Sequence, residues 1–374
     1  MFSSTDKMLM HRACKLARRG EGFVEPNPMV GAVVANSDGT VVGEGWHKQF
    51  GGAHAEVHAL TMAGQEARGA TLFVTLEPCC HTGKTPPCTD AILSAGIRRV
   101  VVAVTDPFPA VAGKGISLLQ RAGIQVDVGL LEQEATCLIA PFRMLMMSKR
   151  PWMIAKWAMT IDGYLALPHA SADGSGESRK SQWISSEVSR AVVHDLRRRV
   201  DAIIVGVETA LADDPLLTAR PSGQRPLVRV VLDRQARLPV SSRLVQTSHE
   251  HPVLVAVGPQ AAEDQIEKLQ DNGCEVWRSS TDQSSKMLLE LAHEFGSRQM
   301  TNVLVEGGAQ VLESCFQADI IDEVWAFLAP KILDTREPSR CLREILSKTC
   351  VEAIDQTGGD LFVRGLLRHD LLGR

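Results

Sequence analysis

The stretch from Gly52 to Cys88 constrains this chain more than any other, because it asks separated segments to converge on one point. GAHAEVHAL and, after a short apolar run, LEPCCHTGKTPPC supply His54, Glu56, Cys79 and Cys88. Two thiolates and an imidazole suit Zn²⁺ and leave a fourth tetrahedral position open, whereas a structural site closes with four protein ligands. Strand-like ATLFVTLEP leads into Cys79. Both cysteines follow a proline at expected helix starts, where backbone N–H groups and the helix dipole favour thiolate. A pair of buried free thiols is the competing reading, and the His-Ala-Glu upstream weighs against it.

An open zinc site is useful for its water, whose pKa the ion lowers from 15.7 to about 7. The proton must then be carried away, and Glu56, two residues past the histidine, is the natural carrier without being a ligand. A His-x-Glu followed by Pro-Cys and a second Cys is the arrangement of the zinc deaminases. His54, Glu56 and His58 do not make the helical protease motif, in which the glutamate directly follows the first histidine and the histidines are four apart with glutamate second. His58 is therefore expected to pack or hydrogen-bond rather than ligate.

At 374 residues the chain has room for two domains, each with its own core. Its net charge of −4 offers no broad basic footprint of the kind phosphate-backbone binders need, so nucleic acid is not expected as a substrate. Nine cysteines, an odd number without dense regular spacing, suit a reducing cytosol. MFSSTDKMLMHR lacks the apolar core of a signal peptide, and no run approaches the ~18 apolar residues of a membrane span. The expected location is cytoplasmic.

Periodicity predicts a first helix from Asp6 to Arg19, with Asp6 as cap and Gly20 as stop. EPNPMVGAVVANSDGTVVGEGWH reads as a hairpin turning at Ser37–Gly39, and Asn27 lies between two prolines on a stiff loop before it. Beyond the zinc stretch, helix and strand alternate: Cys88–Ala95, RRVVVAVTDP, GKGISLLQRAG, IQVDVGLL, then one helical segment from Glu132 to Met147. Such alternation means an α/β sheet. Lys149, Arg150 and Pro151 mark the expected boundary.

The second part opens with strand-like PWMIAKWAMTIDGYLA and a Gly/Ser-rich loop. A helix from Ser185 to Arg199, the strand DAIIVGV and a loop ETALADDPLLTARPSG carrying Thr209, Asp213 and Arg220 follow. LVRVVLD, HPVLVAVG and CEVWRSS read as strands, interleaved with helices at AAEDQIEKLQDNG and Lys286–Phe295. TNVLVEGGAQVLESCF is strand, Gly-Gly, helix, a design that lets N–H groups at a helix start approach a phosphate. No G-x-G-x-x-G follows a strand, so the Rossmann fingerprint is absent.

The residues CHTGKTPP separate Cys79 from Cys88, where ordinary deaminases place two. With PNPMVGAVV, HAEVHAL, PCCHTGKTPPC, Asp106-Pro107, VAGKG, SGES, SQWIS, ADDPLLT, VEGG and LAPKIL, the chain resembles the bifunctional deaminase/reductase family of riboflavin biosynthesis over nearly its whole length. The resemblance implies a cytidine-deaminase-like three-layer α/β domain over 1–149, a zinc-dependent pyrimidine deaminase. It implies a dihydrofolate-reductase-like α/β domain over 150–374, an NADPH-dependent reductase. The substrate it implies is a small-molecule phosphoribosylaminopyrimidine: the 2,5-diamino-6-(5-phosphoribosylamino)pyrimidinone is deaminated to the aminouracil, whose ribosyl is then reduced to ribityl.

By the same resemblance His54, Cys79 and Cys88 hold one Zn²⁺ per chain, Glu56 is the proton carrier, and Asn27, His81 and Lys84 contact substrate. Ala158, Trp183, Thr209, Asp213 and the turn Gly308, Ala309, Gln310, Val311, Leu312, Glu313 and Ser314 match NADPH positions. Ser181, Arg197, Leu217, Arg220 and Glu306 match substrate positions, and two of these, Arg197 and Arg220, could each grip a phosphate bidentately. Lys156 or Glu306 could assist hydride transfer. A homo-oligomer is expected, with no nucleic-acid or membrane partner.

The chain departs from the family in Thr160-Ile161-Asp162-Gly163-Tyr164, where Ser-x-Asp-Gly-Lys/Arg is usual. The segment from Leu167 to Lys180 is also longer, Arg234 replaces a small residue and Asp334 replaces a glycine. The altered Asp162-Gly163-Tyr164 stretch motivates an alternative, a deaminase whose second half serves only binding or oligomerisation. A nucleic-acid deaminase is a third reading, disfavoured by the acidic charge.

Overall fold

The computed structural model describes residues 2–82, 86–108, 112–165, 184–332 and 340–367. The chain divides into two compact units, one running up to Lys149 and the other beginning at Arg150.

The first unit carries α1 (Ser4–Ala17), β1 (Gly31–Ala35), β2 (Val41–Trp46), α2 (Ala55–Ala63), β3 (Thr71–Leu76), α3 (Cys88–Ser94), β4 (Arg99–Val104), α4 (Lys114–Arg121), β5 (Gln125–Val128), α5 (Glu132–Leu138) and α6 (Ala140–Ser148). Its sheet runs β2-β1-β3-β4-β5, with β1 antiparallel to β2 and β3, and β3, β4 and β5 parallel. Successive residues of a strand face opposite ways, and here both faces are covered. Val33, Phe73, Val101 and Ala103 pack with Leu9, Ala13 and Leu138 of α1 and α5. Ala32, Val34, Leu72, Val74, Val100 and Val102 pack with Ala59 of α2, Ile92 of α3 and Leu119 of α4. Near-continuous apolar strands are what such a doubly covered sheet requires, and the result is three layers.

Helix α1 starts earlier than the periodicity suggests. Ser3 is the cap: its Oγ accepts from the Asp6 N–H at 3.0 Å while the Asp6 carboxylate accepts from the Ser3 N–H at 3.0 Å, so Asp6 is the third residue of a capping box rather than the cap. The single helix expected from Glu132 to Met147 is two, because Pro141 starts α6 and cannot continue the hydrogen bonding of α5.

The second unit carries β6 (Trp152–Thr160), α7 (Glu187–Arg197), β7 (Ala202–Gly206), α8 (Val207–Asp213), β8 (Val228–Leu232), α9 (Arg243–Gln246), β9 (Val253–Val257), α10 (Glu263–Asp271), β10 (Glu275–Arg278), α11 (Ser284–Ser297), β11 (Asn302–Val305), α12 (Ala309–Gln317), β12 (Glu323–Ala329), α13 (Arg340–Lys348), β13 (Cys350–Thr357) and β14 (Asp360–Leu366). The strands form one sheet in the order β10-β9-β8-β7-β11-β6-β12-β14-β13. From β10 to β12 neighbours are parallel, and the β13–β14 hairpin adds the antiparallel edge. Met153, Ala155, Trp157 and Met159 of β6 face a core shared with Leu291 and Phe295 of α11, Leu312 of α12 and Ile345 of α13. Lys156, at the middle of this central strand, and Ala158, in its carboxyl-terminal half, therefore lie on the opposite face. The chain leaves β6 for β7 on one side and returns through β11 between them, then continues to β12 on the other. This is the kind of switch point outside which α/β sheets bind ligands.

ETALAD, expected as loop, is the helix α8, so Thr209 and Asp213 are helical; the turn comes at Asp214, with φ 40°, just before Pro215. Lys84, Ser181, Trp183, the Leu167–Lys180 segment and Asp334 lie outside the described residues. Among the described residues no helix is long and apolar enough to cross a membrane.

Candidate active sites

In the first unit His54 is the residue before α2, Glu56 stands in its first turn, Cys79 follows β3 and Cys88 opens α3. Their metal-binding atoms converge: one nitrogen of His54 and the sulfurs of Cys79 and Cys88 all lie within 4.8 Å of one another. His54 Nδ1 is 3.2 Å from Cys88 Sγ and 3.5 Å from Cys79 Sγ. A tetrahedral zinc with Zn–S of about 2.3 Å and Zn–N of about 2.05 Å puts nitrogen and sulfur about 3.5 Å apart. The three residues therefore fit that ion. His58 lies outside the cluster. Cys79 is not itself at a helix start; the N–H of Cys88, which opens α3, donates to its sulfur at 3.3 Å, so one helix start serves both thiols.

Protonation follows from this crowding. The Cys79 thiol is held well below its ordinary value by hydrogen bonds from the Cys88 thiol, His54 and the Cys88 N–H, against the opposing effect of burial. Glu56 is 3% exposed, and burial pushes its carboxyl above the usual range.

Above the cluster is a cavity of about 340 Å³ lined by Asn27, His47, Phe50, His54, Glu56, Glu77, Cys79, His81, Asp106, Phe108, Phe142 and Met146, among others. Asn27 and His81 are thus brought to the same cavity as Glu56. His47, buried, was not singled out from sequence. Its Nδ1 lies 3.1 Å from the Ala53 carbonyl, which only accepts, so Nδ1 carries the proton and Nε2 accepts from the Asn27 amide at 3.1 Å. Burial holds His47 below its ordinary pKa, consistent with this neutral form. Glu77 was missed too; it directly precedes the Pro-Cys that carried the metal reading.

In the second unit Glu306 follows β11. Its carboxylate accepts from Arg197 Nε at 2.7 Å and Nη2 at 2.9 Å, and Lys156 Nζ is 3.8 Å away. Burial raises the Glu306 carboxyl, but Arg197 and Lys156 outweigh it and leave it below the usual range. Lys156 is pushed below the ordinary lysine value by burial, with Glu306 opposing. Arg197 also donates to the Thr218 carbonyl at 3.3 Å, beside Leu217, which holds a left-handed φ of 54°. Arg220 is close enough to His194 to lower its pKa, after burial and Arg197.

Gly308 is the residue before α12, and a side-chain carbon there would sit 3.2 Å from Thr209 Oγ1, so α8 and the start of α12 face each other. Gly308, Ala309 and Gln310 are exposed; Val311 packs toward Gly206 and Gly307. Leu312, by contrast, is buried in the core, which limits it to backbone contact. Glu313 is exposed and reaches Gln317, and Ser314 lies a full turn along the helix. Asp213 ends α8, and Ala158 lies two residues past Lys156 on the same face. The departing stretch at Thr160 is a closed turn: Thr160 N–H donates to the Tyr164 carbonyl, and Tyr164 N–H to Thr160 Oγ1. Arg234 reaches the Asp282 carbonyl.

The fold and the two sites define a class: a zinc-dependent deaminase domain followed by a dihydrofolate-reductase-like domain. Residues 3–104 match the cytidine and deoxycytidylate deaminase zinc-binding region, and residues 151–352 match the RibD C-terminal domain. The RibD riboflavin biosynthesis protein of Aquifex aeolicus is 42% identical over 335 residues, 89% of each chain, and that of Escherichia coli 37% over 361 residues, 92% of each. Among solved structures, Acinetobacter baumannii RibD shares 31% identity with a TM-score of 0.79, covering 97% of this chain and 98% of that one. A Thermotoga maritima diaminohydroxyphosphoribosylaminopyrimidine deaminase/5-amino-6-(5-phosphoribosylamino)uracil reductase shares 34% with a TM-score of 0.78, covering 96% and 98%. The chain belongs to the RibD family of bifunctional deaminase/reductases of riboflavin biosynthesis. Its cofactors are zinc and NADPH, and the deaminase-only alternative is not favoured, since the relatives match across both domains.

Proposed function

We propose that residues 1–149 form the deaminase domain, which converts 2,5-diamino-6-(5-phosphoribosylamino)pyrimidin-4(3H)-one to 5-amino-6-(5-phosphoribosylamino)uracil, and that residues 150–374 form the reductase domain, which reduces the ribosyl of that product to ribityl. The observation that carries the first reading is the convergence of His54, Cys79 and Cys88 with buried Glu56 on one cavity. The three ligating side chains would hold the zinc. When bound, zinc supplies a Lewis acid that makes hydroxide available near neutral pH. Glu56 takes the water proton and returns it to the leaving amine, a task that suits a carboxyl whose pKa burial has raised. Asn27, its amide oriented by His47, and His81 hold the pyrimidine, and Lys84 meets the phosphate.

In the second domain NADPH supplies the hydride. Ala158, Trp183, Thr209, Asp213 and the turn Gly308–Ser314 hold it, the free N–H groups at the start of α12 facing its phosphates. Ser181, Arg197, Leu217, Arg220 and Glu306 hold the sugar phosphate and pyrimidine. Reduction at C1′ of the opened sugar requires a proton on nitrogen. Arg197 and Lys156 hold Glu306 as carboxylate, so of the pair Lys156 has the proton to give.

We further read the chain as a cytoplasmic homo-oligomer. Support comes from the odd number of cysteines without dense regular spacing, which suits a reducing compartment, and from Val351 and Ile354, 47% and 60% exposed on the edge strand β13. Incubating the protein with the diaminopyrimidinone should release ammonia without NADPH, and NADPH oxidation should begin only once deaminated product forms. Oxidation that proceeds on the diamino compound without ammonia release would reverse the order proposed.

A further inference from the structure

Glu77 directly follows β3, two residues before Cys79, and its carboxylate is held by another segment of the chain. It is 3% exposed. Its Oε2 accepts from the N–H groups of Asp106 at 3.1 Å and Gly113 at 2.9 Å; its Oε1 accepts from Gly115 at 2.9 Å and Ile116 at 3.3 Å. One buried carboxylate thus satisfies four backbone donors on the two sides of a turn, from the end of β4 to the first residues of α4. The fit is tight at Gly115 as well, where a side-chain carbon would lie 2.1 Å from the Pro78 carbonyl oxygen.

Two of the residues at the start of this turn, Asp106 and Phe108, line the deaminase cavity. Cys79 does not depend on Glu77 for its own place, since Cys88 N–H holds its sulfur and Thr89 N–H holds its carbonyl at 3.2 Å. The ligands are fastened by α3 and the opposite wall by Glu77. Resting on the deaminase reading above, we propose that Glu77 is a positioning residue for substrate: although it borders the cavity, both its carboxylate oxygens are taken by backbone N–H groups, and through them it fixes the Asp106–Phe108 wall against the metal cluster.

Glu77→Gln keeps shape and volume but turns one acceptor into an NH₂ group facing two backbone donors, which releases that side of the turn. The variant should keep about one zinc per chain by metal analysis and its NADPH oxidation rate on the aminouracil substrate. KM for ammonia release should rise by ~10-fold or more through misplacement of the wall, with kcat changed less than about threefold. Glu77→Ala should show a larger KM with the same pattern. Unchanged KM in Glu77→Gln overturns the proposal, as does loss of zinc or a parallel fall in both activities, either of which makes Glu77 a structural staple. If the wild-type chain releases no ammonia from the diaminopyrimidinone, the deaminase reading fails first, and this is read from the wild type alone.

Discussion

A carboxyl shut away beside two thiols and an imidazole holds its proton more tightly than one in water, and Glu56 is such a group. Replacing it by glutamine leaves His54, Cys79 and Cys88 in place but removes the group that accepts and returns protons. We expect Glu56→Gln to keep its zinc, to lose ~10²- to 10⁴-fold in ammonia release, and to oxidise NADPH normally when given the aminouracil substrate. A simultaneous fall in both reactions with zinc retained would mean one shared centre. At this scale the sequence was most informative where chemistry restricts residue type: only a few side chains bind zinc, so His54, Cys79 and Cys88 stood out by kind and spacing. Glu77 was not legible because its partners are four backbone amides, and His47 because its ring is set by the Ala53 carbonyl before it meets the Asn27 amide. Main-chain atoms carry no signature in a string of residues.

Elements were legible where apolar periodicity or continuous apolar runs marked them, as in β3, β4, β7 and β9. They were not where turn signals competed: Asp-Asp-Pro after Ala212 suggested a loop, yet ETALAD is rich enough in helix formers to make the two turns of α8 before Pro215 stops it. The β13–β14 hairpin went unread, because β13 has an almost wholly exposed pattern without alternation; the buried run of β12 went unread as well. Two predictions belong here. Gly308→Val puts a branched side chain against Thr209 Oγ1 and over the first N–H groups of α12; NADPH titrated by fluorescence should bind about tenfold more weakly, the equivalent of ~1.4 kcal/mol. Equal affinities would remove α12 from the cofactor site. At α1, burial raises the Asp6 carboxyl, but Arg99 and the Ser3 N–H outweigh it and leave it below its ordinary pKa. A depressed carboxyl adds stability above its unfolded pKa and loses it as pH falls through the folded one. Asp6→Asn should therefore cost ~1 kcal/mol near neutrality, the size of one cap, and the gap in urea unfolding should close in acid. A gap that persists at the lowest pH would point to packing instead.

The molecule as a whole is two sheets with separate cores. Phe73, Val101 and Leu138 belong to one, and Trp157, Phe295 and Val324 to another. Ion pairs divide the same way: Arg99 holds Asp6 and Asp127 in the first unit, while Arg150, the first residue of the second, grips buried Asp322 through two hydrogen bonds of 2.6 and 2.8 Å. Arg150 is thus bonded within the second unit. Each core is large enough to fold on the scale of an ordinary domain. Chains 1–149 and 150–374 expressed separately should each unfold cooperatively. The first should release ammonia from the diaminopyrimidinone with no nicotinamide cofactor present, and the second should oxidise NADPH only with the deaminated compound. Mixing the two at equal concentration should then reproduce both steps in sequence. If the first piece folds and binds zinc yet is inactive until the second is added, the deaminase site needs residues from beyond Lys149, and the assignment of one reaction to each core falls.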